Sequence, residues 1–535
     1  MEMVACDAFP LLESLILHNL INMERICIDL LKVESFNELK NIEAYNCDKL
    51  SNIFWLSTTK CLPRLERIAV INCSKMKEIF AIGEEVDNAI EKIEFAQLRS
   101  LSLGNLPEVT SFCREVETPS ASPNRQVSQE ESTTMYSSSE ITLDIATLLF
   151  NDKVALPNLE ALEISEINVD KIWHYNQIPA AVFPRFQNLT RLIAWRCHKL
   201  KYIFSASMIG SLKQLQHLEV WFCENLQEII SENRADQVIP YFVFPQLTTL
   251  ILQNLPKLRC LYPGKHTSEL PALEILVVYR CDKLKIFAAD LSQNNENDQL
   301  GIPAQQLPLP LEKLFSMEGC LEKHVGKLAM IKALELRWHY HLKQLCKQDS
   351  KLGPIFQYLE ILKVYDCQSL LILLPSSSVS FRNLTKLLAV GCKGLMHLVT
   401  SSTAKTLVQL VTVNIYGCRA MTEVVINDKD GVEKEEIVFR KLKTLELLDL
   451  DSLTSFCSAN YTFKFPSLED LFVIGCPKMN FFTTGESITP PRVNVWYGET
   501  SNQRRWASND LNTTIQQLHA EKLLAGSSSY SMDYD

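Results

Sequence analysis

The chain has 535 residues, 47% of them hydrophobic and 22% charged, and carries a formal net charge of -10. That composition suits a folded chain with a large core, while the acidic balance and the lack of any Lys/Arg cluster argue against a nucleic-acid partner, whose phosphates are held by clustered cations. The opening MEMVACDAFPLLESL has no basic region followed by an apolar one, and no run reaches the roughly 18 apolar residues of a membrane span. The expectation is a chain neither secreted nor membrane-spanning.

One template recurs in chain order: an apolar residue, then Leu three positions on, apolar residues three and five after that Leu, and Cys eight after it. It is clearest in FQNLTRLIAWRCHKLKYIF (Phe186 to Phe204) and SLKQLQHLEVWFCENLQEII (Ser211 to Ile230), whose first leucines, Leu189 and Leu215, stand 26 residues apart. The first leucine of the template falls at Leu12, Leu39, Leu65, Leu98, Leu159, Leu189, Leu215, Leu247, Leu273, Leu359, Leu384, Leu410, Leu442 and Leu468, with Ile331 once in the same slot, giving fifteen units. Phe or Leu precedes each by three residues, as at Phe9, Phe36 and Leu62.

Alternate residues of a strand point to opposite faces, so Leu-x-apolar buries two side chains and leaves their neighbours in solvent. One unit cannot close its own core, and stacking similar units does. The reading is α/β, a leucine-rich-repeat solenoid (horseshoe) with a curved parallel inner sheet and about fifteen or more repeats. Spacers are too short for long helices, so short helical or 3₁₀ segments are expected, as in SASMIGSLKQ (Ser205 to Gln214).

From Leu39, Leu189 and Leu384 the steps to the next two units are 26 then 33, 26 then 32, and 26 then 32 residues. The longer steps contain acidic insertions at 83 to 94, 231 to 240 and 427 to 438, which read either as solvated connections or as partner contacts. Two intervals break the register. Residues 114–140, rich in Ser, Thr, Pro and Glu, lack the apolar groups that offset ordering entropy and read as a disordered insertion. Residues 291–327 read as a degenerate repeat or linker, with Leu311 and Leu314 hinting at one eroded unit. The organisation expected is repeat block 1–113, block 141–290, block 328–484, and a C-terminal cap and tail at 485–535. In that tail Asp510 is placed to cap a short helix bearing Leu511, Ile515 and Leu518 on one face.

Nine of the seventeen cysteines, Cys47, Cys73, Cys197, Cys223, Cys281, Cys367, Cys392, Cys418 and Cys476, occupy the slot eight after the first leucine. Zinc ligands come as close pairs, so one cysteine per unit points to a small buried residue at the strand-to-loop corner, with a weak S–H donor for a neighbouring carbonyl. No metal site is expected. An odd cysteine count without a secretion signal fits reduced thiols in a cytoplasmic, intracellular setting. The motifs GxxxxGK[ST], GxSxG and HExxH are absent, and His198, His217, His339, His341 and His397 are scattered with no catalytic Cys or Ser at a defined spacing, so neither an enzyme nor a cofactor is expected.

Six residues after the first leucine, at a solvent-facing strand position, stand Tyr45, Trp195, Trp221, Tyr279, Tyr365 and Tyr416. Neighbouring solvent positions add Arg196, Phe222, Arg280, Trp338 and Asp366. Tyr, Trp and Arg are over-represented at interface hot spots, although aromatics also favour strands and cover the pleat of adjacent rungs. Either these residues form a protein-binding face, with Trp195 and Trp221 unburied on adjacent rungs, or they only cover the sheet.

The repeat LxxLxVxxCxxLxxIF, the FPxL openings at Phe244 to Leu247 and Phe465 to Leu468, and QNLPKL at 253 to 258 resemble the leucine-rich-repeat region of plant intracellular nucleotide-binding disease-resistance proteins of the coiled-coil class. That resemblance, which covers nearly the whole chain, implies a module that senses pathogen effectors or guarded host proteins and restrains a nucleotide-binding switch domain. The P-loop of the family is missing, so the chain is either the repeat part of a larger receptor or a truncated relative. Two other readings stay open: a substrate-recognition subunit of a ubiquitin ligase, and a stand-alone scaffold or decoy.

Overall fold

The computed structural model describes residues 9–26, 35–81, 93–113, 147–151, 154–173, 186–231, 241–263, 267–281, 283–284, 331–339, 342, 345, 356–376, 380–428, 435–498, 504–506 and 510–528. They belong to two compact units, Met1–Leu189 with Ala194–Ser207, and Thr190–Ile193 with Met208–Asp535. Both units are leucine-rich-repeat arrays in which each repeat gives one short strand to a parallel sheet.

In the first unit β1 (Ser14–His18), β2 (Asn41–Tyr45), β3 (Arg67–Ile71), β4 (Ser100–Leu106) and β5 (Ala161–Ile167) pair in chain order, all parallel. Strand β6 (Arg191–Trp195), whose residues are divided between the two units, alternates half-buried and buried side chains. The second unit contains β7 (His217–Trp221), β8 (Thr249–Gln253), β9 (Ile275–Tyr279), β10 (Ala333–Arg337), β11 (Ile361–Tyr365), β12 (Lys386–Val390), β13 (Thr412–Tyr416), β14 (Thr444–Leu448), β15 (Asp470–Ile474) and β16 (Asn494–Gly498), again parallel and in chain order. Arg504–Trp506 adds an antiparallel strand beside β16.

Register carries each template position onto the same position of the next repeat, so Leu276 pairs with Leu334 and Leu334 with Leu362. Three apolar columns follow, and they are buried from Leu39, Ile42 and Ala44 through to Leu468, Leu471 and Val473. Each buried Leu or Ile is worth about 1.5–3 kcal/mol relative to exposure, which is why the period of the sequence fixes the stack. The first repeat departs from the pattern, with Leu12 and Leu15 only half-buried. A second spine runs behind the columns: in the first unit Phe80, Phe112, Phe150 and Trp173 stand in sequence with ring centroids 5.4–5.5 Å apart.

The opposite limb holds the expected short helices. Ala206–Ser211, inside the SASMIGSLKQ stretch, and Leu56–Cys61 are 3₁₀, and Ser401–Ala404 is one α-turn. It also holds short parallel ladders that the sequence did not announce, such as Phe54–Trp55 with Glu78–Ala81 and Ser111–Cys113, and Ile372–Leu374 with His397–Thr400 and Glu423–Ile426. Strands of two to four residues are too short to show a period-2 signature.

After the last repeat, helix Leu511–Ser528 buries Leu511, Ile515 and Leu518. Asp510 caps it, accepting from the N–H groups of Asn512 at 3.2 Å and Thr513 at 2.9 Å. Burial alone would raise the Asp510 carboxyl, but the hydrogen bonds from Thr513, Ser487 and Asn512 hold it below the ordinary carboxylate value. The Asn512 amide accepts from the N–H groups of Phe482 and Thr483 at 3.1 and 2.7 Å and donates to the Gly485 carbonyl at 2.9 Å, stitching the helix to the last repeat. The insertion at 114–140, the interval 291–327 with Leu311 and Leu314, most of the three acidic insertions, and His341 lie outside the described residues.

Candidate functional site

In thirteen of the fifteen repeats the strand ends at the position six after the first leucine, where alternation turns the side chain away from the core; β4 and β5 run two residues further. Unbroken alternation would point the seventh position inward. It does not. In all fifteen repeats the seventh residue is left-handed, with φ between 49° at Asn105 and 65° at Gly391, and none of the fifteen is buried.

This corner throws the seventh side chain outward and brings the eighth inward. Its own N–H stays in the ladder, donating to the sixth-position carbonyl of the next rung: Arg280 to Arg337 at 3.1 Å, Trp338 to Tyr365 at 2.9 Å and Asp366 to Val390 at 2.8 Å. The eighth residue is then the buried cysteine. All nine slot cysteines are buried and none is in a disulfide; their thiols reach the carbonyl two residues back, as in Cys47 to Tyr45 at 3.5 Å, Cys281 to Tyr279 at 3.4 Å and Cys476 to Ile474 at 3.5 Å. Burial pushes the thiols of Cys73 up to about 11 and of Cys476 up to about 12, which removes nucleophilic thiolate from these sites. His339 takes the same slot in its repeat, as a packing residue: it is buried and its Nε2 lies 3.3 Å from the Val278 carbonyl. Among the described residues no group of His, Cys, Asp and Glu is arranged to hold a metal ion.

The eleven residues singled out from sequence are therefore of two kinds. Tyr45, Trp195, Trp221, Tyr279, Tyr365 and Tyr416 end strands; Arg196, Phe222, Arg280, Trp338 and Asp366 are corners. None is buried, and Tyr416 and Phe222 are 48% and 38% exposed. In the first unit Tyr45 packs on His18 with ring centroids 4.7 Å apart, and the Arg196 guanidinium lies 5.0 Å from the Trp195 ring centre and 3.4 Å from Glu166. Trp221 belongs to the second unit. The indole nitrogens of Trp195 and Trp221 are shielded from solvent, yet neither finds an acceptor among the described residues.

Six side chains of the second unit come together on β9, β10 and β11. Tyr279, Arg337 and Tyr365 are in register as successive strand ends, with Arg280, Trp338 and Asp366 beside them as corners. The Arg280 guanidinium lies 5.4 Å from the Tyr279 ring centre and 4.5 Å from that of Trp338, and Arg337 lies 3.9 Å over Tyr365. Glu335 ties Arg337 at 2.5 Å and Lys363 at 3.3 Å. Burial raises the Asp366 carboxyl, Cys392 adds to that, and Lys393, Arg280 and Arg337 oppose it. Arg337, not itself aromatic, occupies the same template slot as the rings and is not signalled by them in the sequence. Trp221 and Tyr416 each stand two rungs away from this group, across Gln253 and Val390. The result is a half-exposed band of rings and guanidinium groups, suited to contact rather than to bond-making.

Among the described residues no helix is long and apolar enough to cross a membrane. Comparison with known proteins gives no match among curated sequences. Among solved structures the chain is similar to the functional domain of InlJ from Listeria monocytogenes, which includes a cysteine ladder, at 14% identity over 61% of this chain and 68% of that one, with a TM-score of 0.23. It is similar to the plant peptide hormone receptor RGFR1 in complex with RGF2 at 12% identity over 89% and 81%, TM-score 0.15, and to the Arabidopsis receptor kinase HAESA in complex with the peptide hormone IDA and the co-receptor SERK1 at 10% identity over 84% and 78%, TM-score 0.15. Superposition that loose carries no conclusion about function. The model of RPS2-like plant disease resistance protein leucine-rich repeats, by contrast, matches residues 10–122, 158–296 and 374–484, more than half of the chain. The chain belongs to the RPS2-like leucine-rich-repeat family of plant disease resistance proteins.

Proposed function

We propose that this chain is the effector-sensing and autoinhibitory leucine-rich-repeat part of a plant innate immune receptor, working in the cytoplasm. Its partner is a pathogen effector or a guarded host protein, and in a longer chain it also restrains a nucleotide-binding switch domain. Family membership supports the setting. The observation that carries the reading is the band of Tyr279, Arg280, Arg337, Trp338 and Tyr365 on three successive rungs, half-exposed side chains of the types that dominate protein interfaces. Buried columns are committed to folding, so recognition falls to the outward strand ends and corners.

A photo-crosslinking amino acid placed at Tyr365, and separately at exposed Leu371 outside the sheet, tests this in plant cells challenged with a pathogen. The expected result is a discrete protein adduct from position 365 that Trp338→Ala abolishes. Adducts from position 371 alone would overturn the reading.

A further inference from the structure

The corner row carries a signature independent of exposure. Ten of the fifteen corners are Asn, Asp or Gly, the residues that tolerate a left-handed backbone. The other five, Glu166, Arg196, Phe222, Arg280 and Trp338, take the same corner at a steric cost that Asn or Gly does not carry. In the first unit Glu166 and Arg196 answer one another as an ion pair. In the second unit Arg280 has no carboxylate at ion-pair distance among the described residues, whereas its neighbours Arg337 and Lys363 share Glu335 and Lys332 holds Glu274 at 2.5 Å. Nor does the next corner acid neutralise it by contact. The Asp366 carboxylate leans over Gly391, its Oδ1 2.5 Å from where a Cβ on that glycine would stand.

A planar cation held against two rings in a strained corner, with no carboxylate at ion-pair distance among the described residues, has the form of a binding subsite. We propose that Arg280, held between Tyr279 and Trp338, reads a carboxylate on an acidic, aromatic-containing segment of a partner protein. This rests on the protein-recognition reading above and specifies its partner. The guanidinium presents paired N–H donors to a carboxylate in a fixed plane, and the flanking rings of Trp338 and Tyr365 offer the aromatic side chains of such a segment a surface to stack on. The net charge of -10 makes the molecule as a whole repel acidic chains, so binding of one requires a local cation of this kind.

The test uses the full chain and a fluorescein-labelled random copolymer of glutamate and tyrosine, followed by anisotropy. Arg280→Asn keeps a residue suited to the corner, so it should leave the melting temperature unchanged or higher while weakening copolymer binding at least about tenfold, the effect of one charge-assisted pair. Arg280→Lys, which keeps the charge but not the plane, should fall between. Polyglutamate should compete and a single-stranded oligodeoxynucleotide should not. Copolymer binding indifferent to Arg280→Asn, or displaced equally by the oligonucleotide, would overturn the proposal. If that happens while the crosslinker at position 365 still captures a partner, the carboxylate subsite fails and the recognition reading survives; loss of both removes the reading beneath it.

Discussion

The two units build the same corner and complete it differently. In the first, Asn19, Asn46, Asn72 and Asn105 form a ladder in which each amide donates to the side-chain oxygen of the asparagine one rung before, at 2.9, 2.9 and 3.0 Å. In the second, the corners are Phe222, Asn254, Arg280, Trp338, Asp366, Gly391, Gly417, Asp449 and Gly475. There Asn254 has no asparagine on either side, and its Nδ2 is shielded without a partner among the described residues. Backbone geometry is thus a constant of the repeat, and what varies is whether the side chains satisfy one another. A column that closes on itself stabilises the stack, while one that does not leaves rings and charges for something else to meet.

The largest effect should come from breaking the closed column. Asn72→Val puts a β-branched residue at φ 58° and removes the amide that both donates to Asn46 and accepts from Asn105, and should cost about 3 kcal/mol. Urea denaturation gives the value directly, and a loss below about 1 kcal/mol would mean the ladder is ornamental. Next in size is the odd occupant of the second unit's cysteine slot. Burial depresses His339 to about 4 from the ordinary 6.5, so the unfolded chain binds its proton first as pH falls. The contribution is whole above about pH 6.5, declines below it, and is fully lost beneath about pH 4; at pH 5 the loss is about 2 kcal/mol. His339→Cys should flatten that slope, and equal pH dependence in the two proteins would refute the assignment.

A smaller loss, about 1–2 kcal/mol, is expected for Gly391→Ala, where φ is 65° and the new Cβ would meet the Asp366 carboxylate. Pairing it with Asp366→Ala should recover the part of the loss due to contact and leave the part due to backbone conformation. If the double variant regains nothing, Asp366 does not lean on that glycine.

How much of this could be read from the chain follows from what each position is asked to do. Buried columns are dictated by size and polarity alone, so Leu39 through Val473 and the nine slot cysteines were legible, as was the outward sense of Tyr279 and Tyr365. The left-handed corner was not. Its conformation is imposed by the ladder, through N–H groups such as that of Trp338, and overrides local preference wherever the residue is Phe, Trp, Arg or Glu. Only the asparagines at 19, 46, 72, 105 and 254, the aspartates at 366 and 449 and the glycines at 391, 417 and 475 hinted at it, each seven after a first leucine. His339 looked like one of several scattered histidines because nothing in its own side chain says that the eighth position turns inward. Arg337 holds the sixth position without a ring, so the aromatic column does not point to it.

The subtlest test runs the comparison in the constructive direction. Glu166 is the corner directly after the asparagine ladder; β5 pairs with β4 so that Ser165 meets Gly104 and Ile167 meets Leu106, which sets Glu166 opposite Asn105. Glu166→Asn relieves a left-handed glutamate at φ 51° and supplies an amide within reach of the Asn105 oxygen, at the expense of an exposed ion pair with Arg196. The first two terms favour the variant by roughly 1–2 kcal/mol and the third opposes it by at most about 1 kcal/mol, so a net gain near 1 kcal/mol is expected. A thermal melt that moves upward shows the self-satisfied column can be lengthened by one residue. A melt that moves downward would place more weight on the Glu166–Arg196 pair than surface ion pairs ordinarily bear, and would make that pair, rather than backbone strain, the reason asparagine stops at Asn105.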